Sequence, residues 1–163
     1  MEIPEPQRPS LSGYVQHGKL LPWKWVDARM REARSYWITT RTSGYPSSRP
    51  VWGIWQSPIL LFSTGSLIAS NIRRDPRVQI NLESADELII VEGIAQALMD
   101  QEMAQVWSDT YNEKYNWDMP ARVDDVYRVS PERVLAWICD STGLDHGSGF
   151  SNSATEWKFP SRQ

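Results

Sequence analysis

The chain has 163 residues, 40% hydrophobic and 23% charged, which is ordinary for one folded domain with a real core. A net charge of −3 gives no global reason to expect nucleic acid, and no apolar run approaches the length that spans a bilayer. One cysteine, Cys139, excludes an internal disulfide and points to a reducing, cytoplasmic setting.

Residues 1–20 read as a mobile or extended arm, since Pro4, Pro6 and Pro9 interrupt any regular element or signal-peptide centre. The domain itself is expected over 21–163. A first helix is predicted from Pro22, a favoured first-turn residue, to about Arg34, with Trp23, Val26, Met30 and Ala33 on one face. Strand-like runs follow at Tyr36–Arg41, Arg49–Trp55 and Ile59–Ser63. They are separated by the turn signals Ser43-Gly44-Tyr45-Pro46 and Gln56-Ser57-Pro58. Trp52 and Trp55 fall on opposite faces of their strand, so at most one belongs to the core.

A short helical insert is predicted at Leu67–Arg74. In the next strand Val78, Ile80 and Leu82 alternate with polar residues, a one-face-buried pattern. The strand from Glu87 to Ala97 is apolar on both faces over Leu88–Val91, so its outer face should meet something other than water. Asp100 caps a helix that runs to about Tyr115. Val126–Val129 and Arg133–Ile138 are predicted as a hairpin around Ser130-Pro131, and Gly143–Ser153 as a flexible Gly/Ser-rich loop. Strands this short, joined by turns this tight, argue for an antiparallel barrel; a parallel sheet would need a helix between most strand pairs.

Phe62-Ser63-Thr64-Gly65, before the helical insert, is a strand end that leaves backbone N–H groups free at a helix start. Such a start attracts phosphate. Other chemistry has little support: His17 and His146 stand far apart without ligand spacing, and no metal site is expected.

These stretches also carry a resemblance. Leu21–Val26, Arg49-Pro50-Val51-Trp52-Gly53-Ile54-Trp55, Phe62–Gly65, Asn71–Val78, Val91-Glu92-Gly93, Lys114-Tyr115-Asn116-Trp117, Val126–Val129 and Ala154–Phe159 resemble the pyridoxamine 5'-phosphate oxidase-like, FMN-binding split barrels. The resemblance implies a mainly β fold with α insertions: a homodimer of six-stranded antiparallel Greek-key split barrels, with cofactor sites at the subunit interface.

It further implies FMN, or in some branches a deazaflavin coenzyme, and oxidoreductase chemistry on a small molecule, with neither nucleic acid nor membrane as partner. Carried over by position, Arg49, Ser63 and Thr64 would lie at the phosphate, with Gly65, Ser70 and Asn71 also among the cofactor-binding residues. The segment Pro50, Val51, Trp52, Gly53 and Ile54 would run beside the ring, and Trp157 would approach it from the partner subunit.

One departure stands out. Leu67, Ile68 and Ser70 occupy the insert where relatives carry basic residues. Two missing charge-assisted contacts are worth roughly 3–6 kcal/mol, or on the order of 10²–10⁴ in affinity. A deazaflavin-dependent reductase, with Arg73, Arg74 and Arg77 as its basic groove, and a non-catalytic dimeric small-molecule-binding barrel are the alternatives.

Overall fold

A computed structural model describes residues 1–10, 17–120 and 126–160. The described residues form eight strands and four helices in the order α1 (Trp23–Glu32), β1 (Tyr36–Thr40), β2 (Ser47–Val51), β3 (Gly53–Gln56), β4 (Ile59–Ser63), α2 (Ser66–Arg74), β5 (Arg77–Asn81), β6 (Glu87–Ala97), α3 (Gln101–Tyr115), β7 (Val126–Ile138), α4 (Ser148–Ser153) and β8 (Thr155–Lys158).

The sheet is antiparallel throughout, in the order β2-β1-β5-β6-β7-β4-β3, with β8 added on β7. Its two end strands, β2 and β3, are consecutive in the chain and separated only by Trp52. A sheet that begins and ends on one chain segment must curl back on itself, and this one forms a half-barrel with its seam at Trp52.

Inward-facing residues alternate as the pleat requires. Ile38, Val78, Ile80, Ile89, Val91, Val129 and Val134 fill the barrel together with Val26 and Met30 of α1. A second, smaller apolar cluster joins Ile54 and Leu61 to Ala104, Trp107, Tyr111 and Tyr115 of α3. The side chain of Asp100 accepts a hydrogen bond from the Met103 N–H, so this helix starts where its cap residue predicts. Trp55 is buried and Trp52 is not, so only one of the two belongs to the core.

Three expectations need correction. The six strands become eight, because the run Arg49–Trp55 is broken at Trp52 and because Thr155–Lys158 adds a strand. The hairpin around Ser130-Pro131 is instead one continuous strand, Val126–Ile138, paired along its length with β6. A register shift between Glu92 and Gly93 brings Pro131 opposite Gly93, the kind of irregularity at which a strand accommodates proline.

The loop Gly143–Ser153 closes into α4, stapled where Asp145 accepts from the Gly147 and Gly149 N–H groups. Over residues 1–10 the extended arm is tied to the barrel, which is no correction of the expected arm: Gln7 exchanges backbone hydrogen bonds with Glu156, and Arg8 donates to the carbonyls of Gly18, Asn152 and Ala154. Part of the predicted arm, 11–16, lies outside the described residues.

Candidate functional site

The chain segment that seals the barrel also builds a wide cleft. Where β2 ends, Arg49, Pro50, Val51 and Trp52 face the end of β4 (Ser63), the link Thr64-Gly65 and the first turn of α2. Leu67, Ile68 and Tyr111 complete the walls of a space of about 510 Å³. Two other grooves are smaller, about 320 and 360 Å³, and both are lined by acids as well as bases. No acidic residue lines the cleft among the described residues, and Arg49 is its one cation.

The polar wall is open to a ligand. Arg49 is exposed, and its guanidinium donates only to the Ser48 carbonyl, with no ion pair among the described residues. Ser63 and Thr64 are half-buried. Helix α2 starts after its N-cap Gly65 with no side-chain cap and no acidic residue in its first turn, so its leading N–H groups have no capping side chain, and Gly65, Leu67 and Ile68 place this start at the cleft.

The other wall is aromatic. Trp52 is 45% exposed, yet it stacks on Tyr115 with ring centroids 4.8 Å apart and planes 6° from parallel. Trp117 stands edge-on to it at 6.1 Å, and Tyr111 lies tilted at 6.5 Å. The backbone beside Trp52 is clamped by the end of α3. The Tyr115 hydroxyl accepts from the Gly53 N–H (3.0 Å) and lies 2.8 Å from the Gly53 carbonyl, to which Lys114 Nζ also donates (3.1 Å). Gly53 therefore gives its polar groups to α3, which ends β2 and starts β3 on either side of Trp52.

Lys114 is half-buried and donates as well to the Ala33 carbonyl and the Tyr36 hydroxyl. Burial, with Arg34 nearby, lowers its pKa to about 8, while burial raises that of Tyr115. Because the folded-state value lies below the ordinary 10.5, the unfolded chain holds more protons between these limits, and Lys114's contribution to stability rises with pH from about 8 to 10.5. Urea unfolding of the wild type and Lys114→Met at pH 7 and pH 9.5 checks this. The stability gap between them is expected to widen in favour of the wild type at the higher pH.

The structure brings seven of the twelve expected site residues to the cleft: Arg49, Pro50, Val51, Trp52, Ser63, Thr64 and Gly65. The other five lie elsewhere. Gly53 and Ile54 are buried against Leu61 and α3. Ser70 is exposed on α2 away from the lining. Asn71 is buried, donating to the Thr40 hydroxyl at 2.9 Å and accepting from Arg74, so it fastens α2 to β1. Trp157 is fully buried against Trp23, 5.4 Å away, and is a core residue of its own barrel. Tyr111 lines the cleft and Tyr115 supports it; Tyr115 lies in the resembling stretch Lys114–Trp117 but carries no role there, and Tyr111 has only its i,i+4 aromatic spacing to Tyr115 as a signal.

No family model matches the chain, and no curated protein does. Solved structures do. A putative pyridoxamine 5'-phosphate oxidase from Listeria innocua is 16% identical over 69% of this chain and 95% of its own, with a TM-score of 0.59. The chain folds as a split barrel. A FAD-binding protein from Mesorhizobium loti shares the fold at 15% identity over 86% of this chain and 96% of its own, with a TM-score of 0.57. An F420 reductase shares it at 20% identity over 66% and 94%, with a TM-score of 0.51. At these identities the likeness is one of fold, and it is the fold that the sequence resemblance implies. Among the described residues of this split barrel, no helix is long and apolar enough to cross a membrane.

Proposed function

We propose that this split barrel binds FMN and serves as a flavin-dependent oxidoreductase acting on a small molecule. The observation that carries the reading is the single cleft that gathers Arg49, Ser63, Thr64 and the uncapped start of α2 beside the exposed ring of Trp52. Arg49, the two hydroxyls and the helix N–H groups suit one phosphate. Pro50, Val51 and Trp52 suit a flat ring. A bound flavin supplies the redox chemistry, while the chain holds the phosphate, orients the ring and excludes water from one of its faces.

Leu67 and Ile68 in the first turn of α2 leave the phosphate one cation among the cleft's described residues, which favours modest affinity over permanent retention. The deazaflavin alternative needs a basic groove for an acidic tail. Arg73, Arg74 and Arg77 do not line the cleft, and Arg77 is bonded to Asp75, whose carboxyl those hydrogen bonds hold well below its usual range. FMN is therefore preferred. An absorption spectrum and mass analysis of the ligand that copurifies tests the reading. Flavin absorbance with FMN released on denaturation is expected; a colourless protein that takes up no added FMN is the outcome for a non-catalytic barrel.

The active form we propose is a homodimer with its cofactor sites at the subunit interface, in a cytoplasmic setting that the single cysteine supports. Across the outer face of the sheet Pro50 pairs with Trp37, Trp37 with Asn81 and Asn81 with Ile90, while Leu88 pairs with Trp137. Trp37 is 37% exposed there. Pro50, Trp37, Ile90, Leu88 and Trp137, apolar side chains interrupted only by Asn81 in this set, favour a second copy on the curved sheet. Sedimentation is expected to show a dimer that Trp37→Glu with Ile90→Glu converts to monomer; a wild-type monomer at micromolar concentration contradicts it.

A further inference from the structure

We propose that Trp52 is the specificity-determining residue of the cleft: a preorganised plate that selects a planar aromatic ring bearing one anionic group. The proposal rests on the reading of this cleft as a ligand site, but not on the ligand being a flavin.

Three observations converge on Trp52. Its ring has three aromatic neighbours, Tyr115 at 4.8 Å and nearly parallel, Trp117 at 6.1 Å edge-on and Tyr111 at 6.5 Å, so its orientation is fixed. Its backbone neighbour Gly53 is held at both polar groups, the N–H by the Tyr115 hydroxyl and the carbonyl by Lys114. Despite this bracing the ring keeps 45% of its surface exposed and forms part of the cleft wall. A core tryptophan would hide that surface, and a merely solvent-facing one would not be braced on α3. An indole fixed in place before a ligand arrives loses little entropy when a second ring stacks on it.

The rest of the lining defines the partner's chemistry. Leu67, Ile68, Pro50 and Val51 are apolar, no acidic residue is present among the described lining residues, and Arg49 supplies one positive charge beside Ser63 and Thr64. Charge complementarity thus favours a single anionic group at the polar end, with an uncharged flat ring against Trp52. Ligands with several separated charges find no further cation among the described lining residues. Tyr115 acts as the positioning residue behind Trp52, since it contributes both the stacked ring and the hydroxyl that pins Gly53.

The test uses two probes of equal charge and carbon skeleton, 1-naphthyl phosphate and its saturated decahydronaphthyl counterpart, with the full chain in equilibrium dialysis. Burial of apolar surface alone favours the saturated probe or neither, so preference for the flat ring reports stacking. The wild type is expected to prefer naphthyl phosphate by roughly 5- to 100-fold, the range that aromatic stacking produces. Trp52→Leu should abolish that preference while leaving affinity for the saturated probe within about twofold, and Trp52→Phe should retain part of it. A thermal melt of each variant confirms folding, which substitution at a half-exposed ring should leave intact.

A wild type that binds neither probe, or does not distinguish them, overturns the proposal, as does a preference that survives in Trp52→Leu. FMN in the same assay separates the two readings. Selective binding of naphthyl phosphate without binding of FMN contradicts the flavin assignment and leaves the aromatic plate standing.

Discussion

Replacing Trp157 by alanine is expected to lower stability by about 3–5 kcal/mol, the usual cost of emptying a tryptophan site in a core. The residue is completely buried, pairs through β8 with Val134 of β7, and meets Trp23 of α1 ring-to-edge at 5.4 Å. Trp23 in turn contacts Trp55 and Phe159, so the cavity would open at the joint between the first helix, the barrel and the C-terminal strand. Trp157→Phe should be far milder. It keeps an aromatic ring and removes an indole N–H that finds no acceptor among the described residues, a donor that costs stability where it is. Urea unfolding midpoints of the two variants measure the contrast.

Gly93→Ala is expected to cost about 3 kcal/mol, the upper end of the usual overpacking penalty. A Cβ at position 93 would lie 2.3 Å from the Ser130 carbonyl oxygen and 3.1 Å from the Pro131 Cα, both backbone atoms of β7 that no side-chain rotation can move aside. The β6–β7 pair is the longest in the sheet, and the register shift that admits Pro131 sits at this residue. Widening it strains the centre of the barrel. The same unfolding measurement applies; a loss under about 1 kcal/mol would mean that the strands separate there at little cost.

What the chain disclosed in advance follows from how local each signal is. The alternation of Val78 and Ile80 with Gln79 and Asn81 placed β5 and its buried face, because a half-buried strand writes its period into neighbouring residues. Asp100 placed the start of α3 for the same reason. Ser130-Pro131 misled because proline signals a turn in isolation, whereas here a glycine almost forty positions earlier provides the room that keeps the strand continuous.

The break at Trp52 had no local signal either. It arises because a tyrosine on α3, 62 positions from Gly53, takes over a strand hydrogen bond.

The site was legible on the same terms. Arg49, Ser63, Thr64 and Gly65 sit in contiguous motifs, and the cleft unites them. Asn71 and Trp157 have the residue types of a binding site, but both are taken up by the interior, Asn71 hydrogen-bonded to Thr40 and Trp157 packed against Trp23. Residue type alone does not reveal which partner a side chain reaches first. Tyr111 and Tyr115 were hidden in the opposite way, as aromatics on a helix that reads as ordinary packing.

The account stands most directly on an equilibrium titration of FMN into the ligand-free wild type and into Arg49→Ala. Saturable binding is expected, with flavin fluorescence quenched beside Trp52. Loss of the one cationic contact to phosphate should weaken it by roughly 10- to 100-fold, with riboflavin, which lacks phosphate, bound equally by both proteins. No saturable uptake of FMN, or equal affinity of the two proteins for it, would contradict the claim that this cleft holds a flavin phosphate.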